Sequence, residues 1–174
     1  MTDTERINFI KKHIIGKCLD AGCGSGHRYS GVGLDREFVI TNRLKKPIVK
    51  GDLEHLPFKQ NIFDTIIISE VIEHLLKPYE AMLELRRCLK DNGQILLTTP
   101  SALSLHCALK NGYPKVHYFT FFPSQLKHFL SDCGFEIKEM KMIDIHKKNI
   151  LFRIITTLIP ITRNFICVIA VKKN

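Results

Sequence analysis

The chain has no Cys-x-x-Cys pair, no low-complexity tract, no internal repeat and no apolar run near the ~20 residues that a membrane span requires. The first absence removes the common thiolate zinc and dithiol redox motifs. Cys18, Cys23, Cys88, Cys107, Cys133 and Cys167 mostly sit in apolar runs and read as buried thiols of a reducing cytoplasm. With no linker composition anywhere, residues 1–174 read as a single domain, and 45% hydrophobic content is enough for its core. The opening MTDTERINFIKKHII mixes acids and bases and lacks the apolar centre of a signal peptide. Thr2-x-x-Glu5 instead reads as a capping box that opens a short helix over about residues 4–13. The expected location is therefore cytoplasmic, with no transmembrane segment.

What the chain does have is a set of short β-like runs that each end in a polar residue. KCLDAGCGSG (17–26) is an apolar run, an acid and then glycines at 22, 24 and 26, a loop in which backbone N–H groups can approach a ligand closely. Asp20, Asp35, Asp52 and Ser69 each fall just after or at the end of such a run. In a parallel sheet, strand ends of one polarity line one crevice, so these four residues are expected to converge. Apolar runs at 47–51, 64–69 and 94–99 predict strands buried on both faces. Met82, Leu85 and Leu89 predict a helix over 79–90, and Pro123 to Gly134 bound another with Leu126, Phe129, Leu130 and Cys133 inward. FEIKEMKMI (135–143) alternates as a strand, and FICVIAV (165–171) is the last.

The glycine spacing departs from Gly-x-Gly-x-x-Gly, since the third glycine comes one residue early, and favours a nucleoside ligand without a pyrophosphate. Together with VGLD (32–35), GDLEHLPF (51–58), FDTIIISEVIEHL (63–75) and LKDNGQILLTTP (89–100), this loop resembles the Rossmann-like S-adenosylmethionine-dependent methyltransferases, nearest their ubiquinone/menaquinone-biosynthesis-like branch. The resemblance covers roughly residues 15–143 plus the last strand. It implies an α/β three-layer fold with a seven-stranded mixed sheet of order 3-2-1-4-5-7-6, strand 7 antiparallel, and S-adenosylmethionine as cofactor. One departure stands out: HRYSG (27–31) leaves no room for the helix of the first crossover, so the helix near the N-terminus is expected to cover that side of the sheet.

The resemblance also distributes roles. Asp20 would accept hydrogen bonds from its own loop or, through water, from the methionine ammonium, and Gly22 and Gly24 would allow close approach. Asp35 would take both ribose hydroxyls, Asp52 and the Leu53 N–H would read adenine, and Ser69 would close the methionine end through its backbone. With the helix dipole after Gly26 reduced, Arg28, or less directly His27, is the expected partner of the cofactor's carboxylate.

Methyl transfer from a sulfonium needs alignment of the acceptor and exclusion of water, and a base only where the acceptor must lose a proton. The candidates are His74, just beyond the fourth strand, and His117, in the aromatic segment VHYFTFF beside Tyr113, Tyr118, Phe119, Phe121 and Phe122. Both residue sets also suit a structural role. Glu70, Glu73 and His74 fall at i, i+3, i+4, and a similar stretch holds a divalent ion in some relatives of that branch; plain structural acids are commoner, and no metal is assigned.

The acceptor read here is a small or lipid-like molecule. A formal charge of +9, with Arg43, Lys45, Lys46 and Lys50 and then Lys147, Lys148, Arg153 and Arg163 clustered, makes a nucleic-acid (RNA) acceptor the alternative. No Asn/Asp-Pro-Pro-Tyr/Phe motif of base-modifying enzymes follows the fourth strand. A non-catalytic partner with the same fold is a third reading, against which Asp35 and Asp52 stand. Residues 149–163, NILFRIITTLIPITR, place Leu151, Ile154, Ile155 and Leu158 opposite Arg153, Thr156 and Thr157, which suits packing on the sheet edge or peripheral contact with a membrane surface.

Overall fold

The computed structural model describes residues 4–24, 29–37, 47–104, 117–143, 157–158 and 165–173. The short apolar runs become strands β1 (Cys18–Ala21), β2 (Val32–Asp35), β3 (Ile48–Lys50), β4 (Phe63–Ser69), β5 (Leu89–Pro100), β6 (Phe135–Ile143) and β7 (Phe165–Lys172). The 3.6-periodic stretches become helices α1 (Thr4–His13), α2 (Pro78–Cys88) and α3 (Pro123–Asp132). One sheet of order β3-β2-β1-β4-β5-β7-β6 joins all seven strands. The first five pair in parallel, and β7 runs antiparallel to both of its neighbours. Parallel pairing carries the carboxyl ends of β1, β2, β3 and β4 to one edge, where Asp20, Asp35, Asp52 and Ser69 stand.

Alternation along the central strands divides the core in two. Leu19, Ile66, Ile68 and Leu97 face α2 and α3, where Met82, Leu85, Leu126 and Leu130 are buried against them. Cys18, Ile67 and Leu96 face the other way, onto Phe9 and Ile10 of α1. Each large side chain taken fully out of water on these faces contributes about 1.5–3 kcal/mol. The helix expected to replace the missing crossover cover is thus α1, and Tyr29, 3% exposed, joins the same cluster. Between β1 and β2 the described residues form no α-helix, and Gly31 (φ 98) passes so close to β1 that a Cβ would lie 2.0 Å from the Cys18 carbonyl oxygen.

Two boundaries differ from the periodicity. α2 ends at Cys88, and β5 begins at Leu89, five residues before the expected strand, because Leu89 pairs with Phe63. A register shift follows, with Asn92 in the left-handed region (φ 62), before Gln94 pairs with Thr65. Apolar spacing carries no information about such a backbone irregularity. Among the described residues no helix is long and apolar enough to cross a membrane.

Candidate cofactor and acceptor site

A cleft of about 260 Å³ opens at the carboxyl edge of the sheet, near the lower end of the roughly 300–1,000 Å³ usual for small-molecule sites. Gly22, Asp35, Asp52 and Leu53 line one part of it, and Val71, His74, Leu76 and Tyr118 another. Gly22 is required twice over: its φ is +75, and a Cβ there would sit 2.5 Å from the Val71 side chain. Its N–H donates to the Leu34 carbonyl at 2.7 Å, which ties the β1 loop to β2.

Asp35 is fixed from two sides. Its carboxylate accepts the Gly24 N–H at 2.7 Å and the Glu37 N–H at 2.9 Å, one on each oxygen. A carboxylate has about four acceptor positions, so this geometry leaves capacity for a vicinal diol. Asp52, at the other end, accepts the Glu54 N–H at 3.0 Å and the Arg36 guanidinium at 2.5 Å. The backbone hydrogen bond first, with Arg36 beside it, holds the Asp52 carboxyl below the usual range. Leu53 is buried next to it.

Asp20 and Ser69 sit differently from Asp35 and Asp52. Neither lines the cleft. By alternation in β1, Asp20 shares the face of Cys18, which packs against α1, and it is 3% exposed. Burial first, with Asp20 adding, pushes the Cys18 and Cys23 thiols up to about 12. Cys23, in the β1 loop, therefore stays a thiol at neutral pH and does not compete as a nucleophile. The Ser69 hydroxyl accepts from Arg6 at 2.8 Å and lies 3.1 Å from the Thr98 hydroxyl. Arg28 and His27 lie outside the described residues, as does most of 149–163 and the basic groups Arg43, Lys45, Lys46, Lys147, Lys148, Arg153 and Arg163.

Arg6 is the residue the sequence reading missed. Its signal was the spacing of Arg6, Phe9 and Ile10, the three buried residues of α1, which puts a cation on the apolar face of that helix.

The two candidate histidines come together. His74 closes a 3₁₀ turn (Ile72–His74), and His117 meets it edge-on with ring centroids 4.6 Å apart. The Glu73 carbonyl accepts the Tyr118 N–H at 2.8 Å, fastening the aromatic segment to this turn. Burial, then His74, pulls the His117 pKa below the ordinary histidine value, while burial drives the Glu73 carboxyl up. One Glu73 oxygen accepts from Thr99 at 3.1 Å, and the other is buried without a hydrogen-bond partner.

Ligand atoms of Glu73, His74 and His117 all lie within 4.8 Å of one another, a carboxylate and two imidazoles of the kind that hold zinc or another divalent transition ion. Glu70 does not belong to this set. Its backbone is left-handed (φ 59) and its carboxylate pairs with Arg6 at 3.1 Å, because residues 72–74 form a 3₁₀ turn and not the α-helix that would have aligned Glu70, Glu73 and His74.

Residues 8–139 match the family model described as a methyltransferase domain. A tRNA U34 carboxymethyltransferase of Hydrogenovibrio crunogenus is 29% identical over 161 residues, 77% of this chain and 48% of the relative. A probable S-adenosylmethionine-dependent methyltransferase of Mycolicibacterium smegmatis is 27% identical over 134 residues, 70% of this chain and 52% of the relative. The chain thus spans about half the length of these curated relatives. Among solved structures, a SAM-dependent methyltransferase from Archaeoglobus fulgidus has the same fold, with a TM-score of 0.69 at 21% identity over 96% of this chain and 90% of that one.

Proposed function

Since the chain belongs to the methyltransferase-domain family, with S-adenosylmethionine as cofactor, we propose that it transfers the sulfonium methyl group to a small or lipid-like acceptor at the Tyr118 side of the cleft. The observation that carries this reading is the arrangement of polar groups along the cleft. The cleft gathers Asp35, Asp52, Leu53 and His74, with His117 against His74, and in this reading Asp52 and Leu53 read adenine while Asp35 accepts the ribose hydroxyls. Leu76 and Tyr118 are exposed in the cleft wall beside His74, and Phe119, exposed too, donates its N–H to the Glu73 carbonyl, an apolar rim suited to a hydrophobic acceptor. The ubiquinone/menaquinone-like branch resembled by SEVIEHL and GDLEHLPF would make that acceptor an aromatic hydroxyl or ring carbon.

In the proposed reaction the protein's work is alignment and exclusion of water, because an in-line displacement at the methyl carbon needs no covalent intermediate with the enzyme. His74, in the cleft wall, is the group placed to take a proton from a hydroxyl acceptor. The lowered pKa of His117 keeps it neutral to lower pH than an ordinary histidine, able to accept a proton or to bind an ion. A divalent ion held by Glu73, His74 and His117 would lower the pKa of such a hydroxyl.

His74→Ala and His117→Ala are expected to lower turnover about 10²-fold or more while cofactor affinity stays near wild type. Equal turnover in wild type and both variants would return the two histidines to a structural role.

A second reading rests on the curated relative named as acting on tRNA and on the net charge of +9, and makes the acceptor an RNA. Incubation of the protein with methyl-labelled S-adenosylmethionine and fractionated host extract separates the two. Label in the lipid or small-molecule fraction is the expected result, and label confined to RNA would replace it with the second reading.

A further inference from the structure

The buried cluster around Arg6 is not used by any step above. Arg6 projects from α1 into the carboxyl edge of the sheet and is 3% exposed. Its guanidinium donates to the Ser69 hydroxyl at 2.8 Å and the Thr98 hydroxyl at 3.2 Å, and meets the Glu70 carboxylate at 3.1 Å. Behind it, the Phe165 ring lies 5.1 Å from the guanidinium carbon. Taking a guanidinium out of water is costly, and a well-packed apolar group at such a position often serves stability as well or better. The arrangement is therefore better explained by what it does to Glu70.

Glu70 is held in a conformation that a non-glycine residue seldom adopts. Its φ is +59, its N–H donates to the Thr98 carbonyl at 3.0 Å, and its carboxylate accepts from the Thr98 hydroxyl at 3.3 Å as well as from Arg6. Left-handed backbone at a non-glycine residue persists where its surroundings over-determine it, and such residues gather at ligand sites. The pair is also layered, with the Arg6 side chain 4% exposed and that of Glu70 27%. A ligand reaching this edge from solvent meets the carboxylate first.

Position supplies the ligand chemistry. Glu70 follows Ser69 at the end of β4 and precedes Val71, whose side chain stands against Gly22 in the cleft wall. With the ribose at Asp35, as proposed above, the 5′ substituent would run past Gly22 toward Val71 and its neighbour Glu70, which itself stands just outside the cleft lining, and in S-adenosylmethionine the substituent ends in an α-ammonium group. We propose that the Glu70 carboxylate receives this ammonium and that Arg6 is the positioning residue which holds Glu70 in place, so that α1 forms part of the cofactor site. The proposal rests on the S-adenosylmethionine reading, and it adds a direct carboxylate partner where the sequence expectation had Asp20 accept from its own loop or, through water, from the ammonium.

The test uses three probes on the full chain by calorimetry: S-adenosylhomocysteine, its des-amino analogue, and 5′-methylthioadenosine, which lacks the amino-acid end altogether. The wild type is expected to bind S-adenosylhomocysteine about tenfold or more tightly than the des-amino analogue, as for the loss of a charge-assisted hydrogen bond. Glu70→Gln removes most of that preference and leaves the two probes without an ammonium within about twofold of wild type. Arg6→Lys, which keeps the charge but not the planar fork, shows a partial loss with the same selectivity.

Equal binding of the two homocysteine probes by wild type, or a Glu70→Gln effect of the same size on all three, overturns the proposal. These arms stand even if Arg6→Lys fails to fold. Failure of the wild type to bind any probe would instead overturn the cofactor reading on which the proposal rests.

Discussion

Asp35→Ala will weaken S-adenosylmethionine binding by at least about tenfold, since each hydrogen bond from a ribose hydroxyl to an ionised carboxylate is worth roughly 1.5–3 kcal/mol. Asp35 also accepts the Gly24 and Glu37 N–H groups, so the substitution removes the anchor of the β1 loop together with the ligand contact. Asp35→Asn separates the two effects. The amide oxygen can still accept one of the two N–H groups, that of Gly24, while the amide nitrogen can accept nothing from Glu37, so the β1 loop keeps its anchor in part while the loss of charge and of one acceptor oxygen lowers affinity. Calorimetry with both variants, beside circular dichroism to show an intact fold, is the measurement. Unchanged affinity in Asp35→Ala would falsify the ribose assignment.

Gly31→Ala will be the most destabilising glycine-to-alanine change among the described residues of this crossover. The new Cβ would have to occupy a point 2.0 Å from the Cys18 carbonyl oxygen, a backbone atom that cannot swing aside, at a φ of +98 that L residues rarely adopt. Relief requires β1 and β2 to separate, yet Leu19 and Asp20 are in register with Val32 and Gly33 there. Strain of this kind belongs to the upper tail of point substitutions, about 3 kcal/mol or more, equivalent to a melting temperature lower by roughly 6–12 °C for a chain of this size. A thermal melt with no resolvable shift would show that the short crossover has slack the geometry does not suggest. Gly24→Ala is the control, because its Cβ would meet nothing within 4 Å and only the positive φ opposes it.

The parts of the fold that were legible in the sequence are those encoded over a few residues. Continuous apolar runs, the breaks at Gly134 and before Pro123, and the acid or serine at each strand end set the strands, α3 and the residues at the carboxyl edge. The seven-strand order came only through the family resemblance that the motifs carry, and the pairing agrees with it. That the first crossover is too short for a full helix could be read by counting residues between β1 and β2, and this alone led to the expectation that α1 covers that side of the sheet, where Phe9 and Ile10 pack on Cys18 and Ile67.

What only the tertiary structure decided are contacts between residues far apart in the chain. Arg6 meets Ser69 across 63 positions and Thr98 across 92, a pairing for which α1 gave no local sign beyond one cation on its apolar face. The separation of Glu70 from Glu73 and His74 depended on a 3₁₀ turn and a left-handed residue, where the i, i+3, i+4 spacing assumed a continuous helix. His74 and His117, 43 residues apart in number, became neighbours because the Glu73 carbonyl binds the backbone of the aromatic segment. Local pattern fixes which face of a strand or helix a side chain takes, since that depends on repeat geometry. Which partners it meets there depends on how distant elements pack, and no short stretch of sequence carries that.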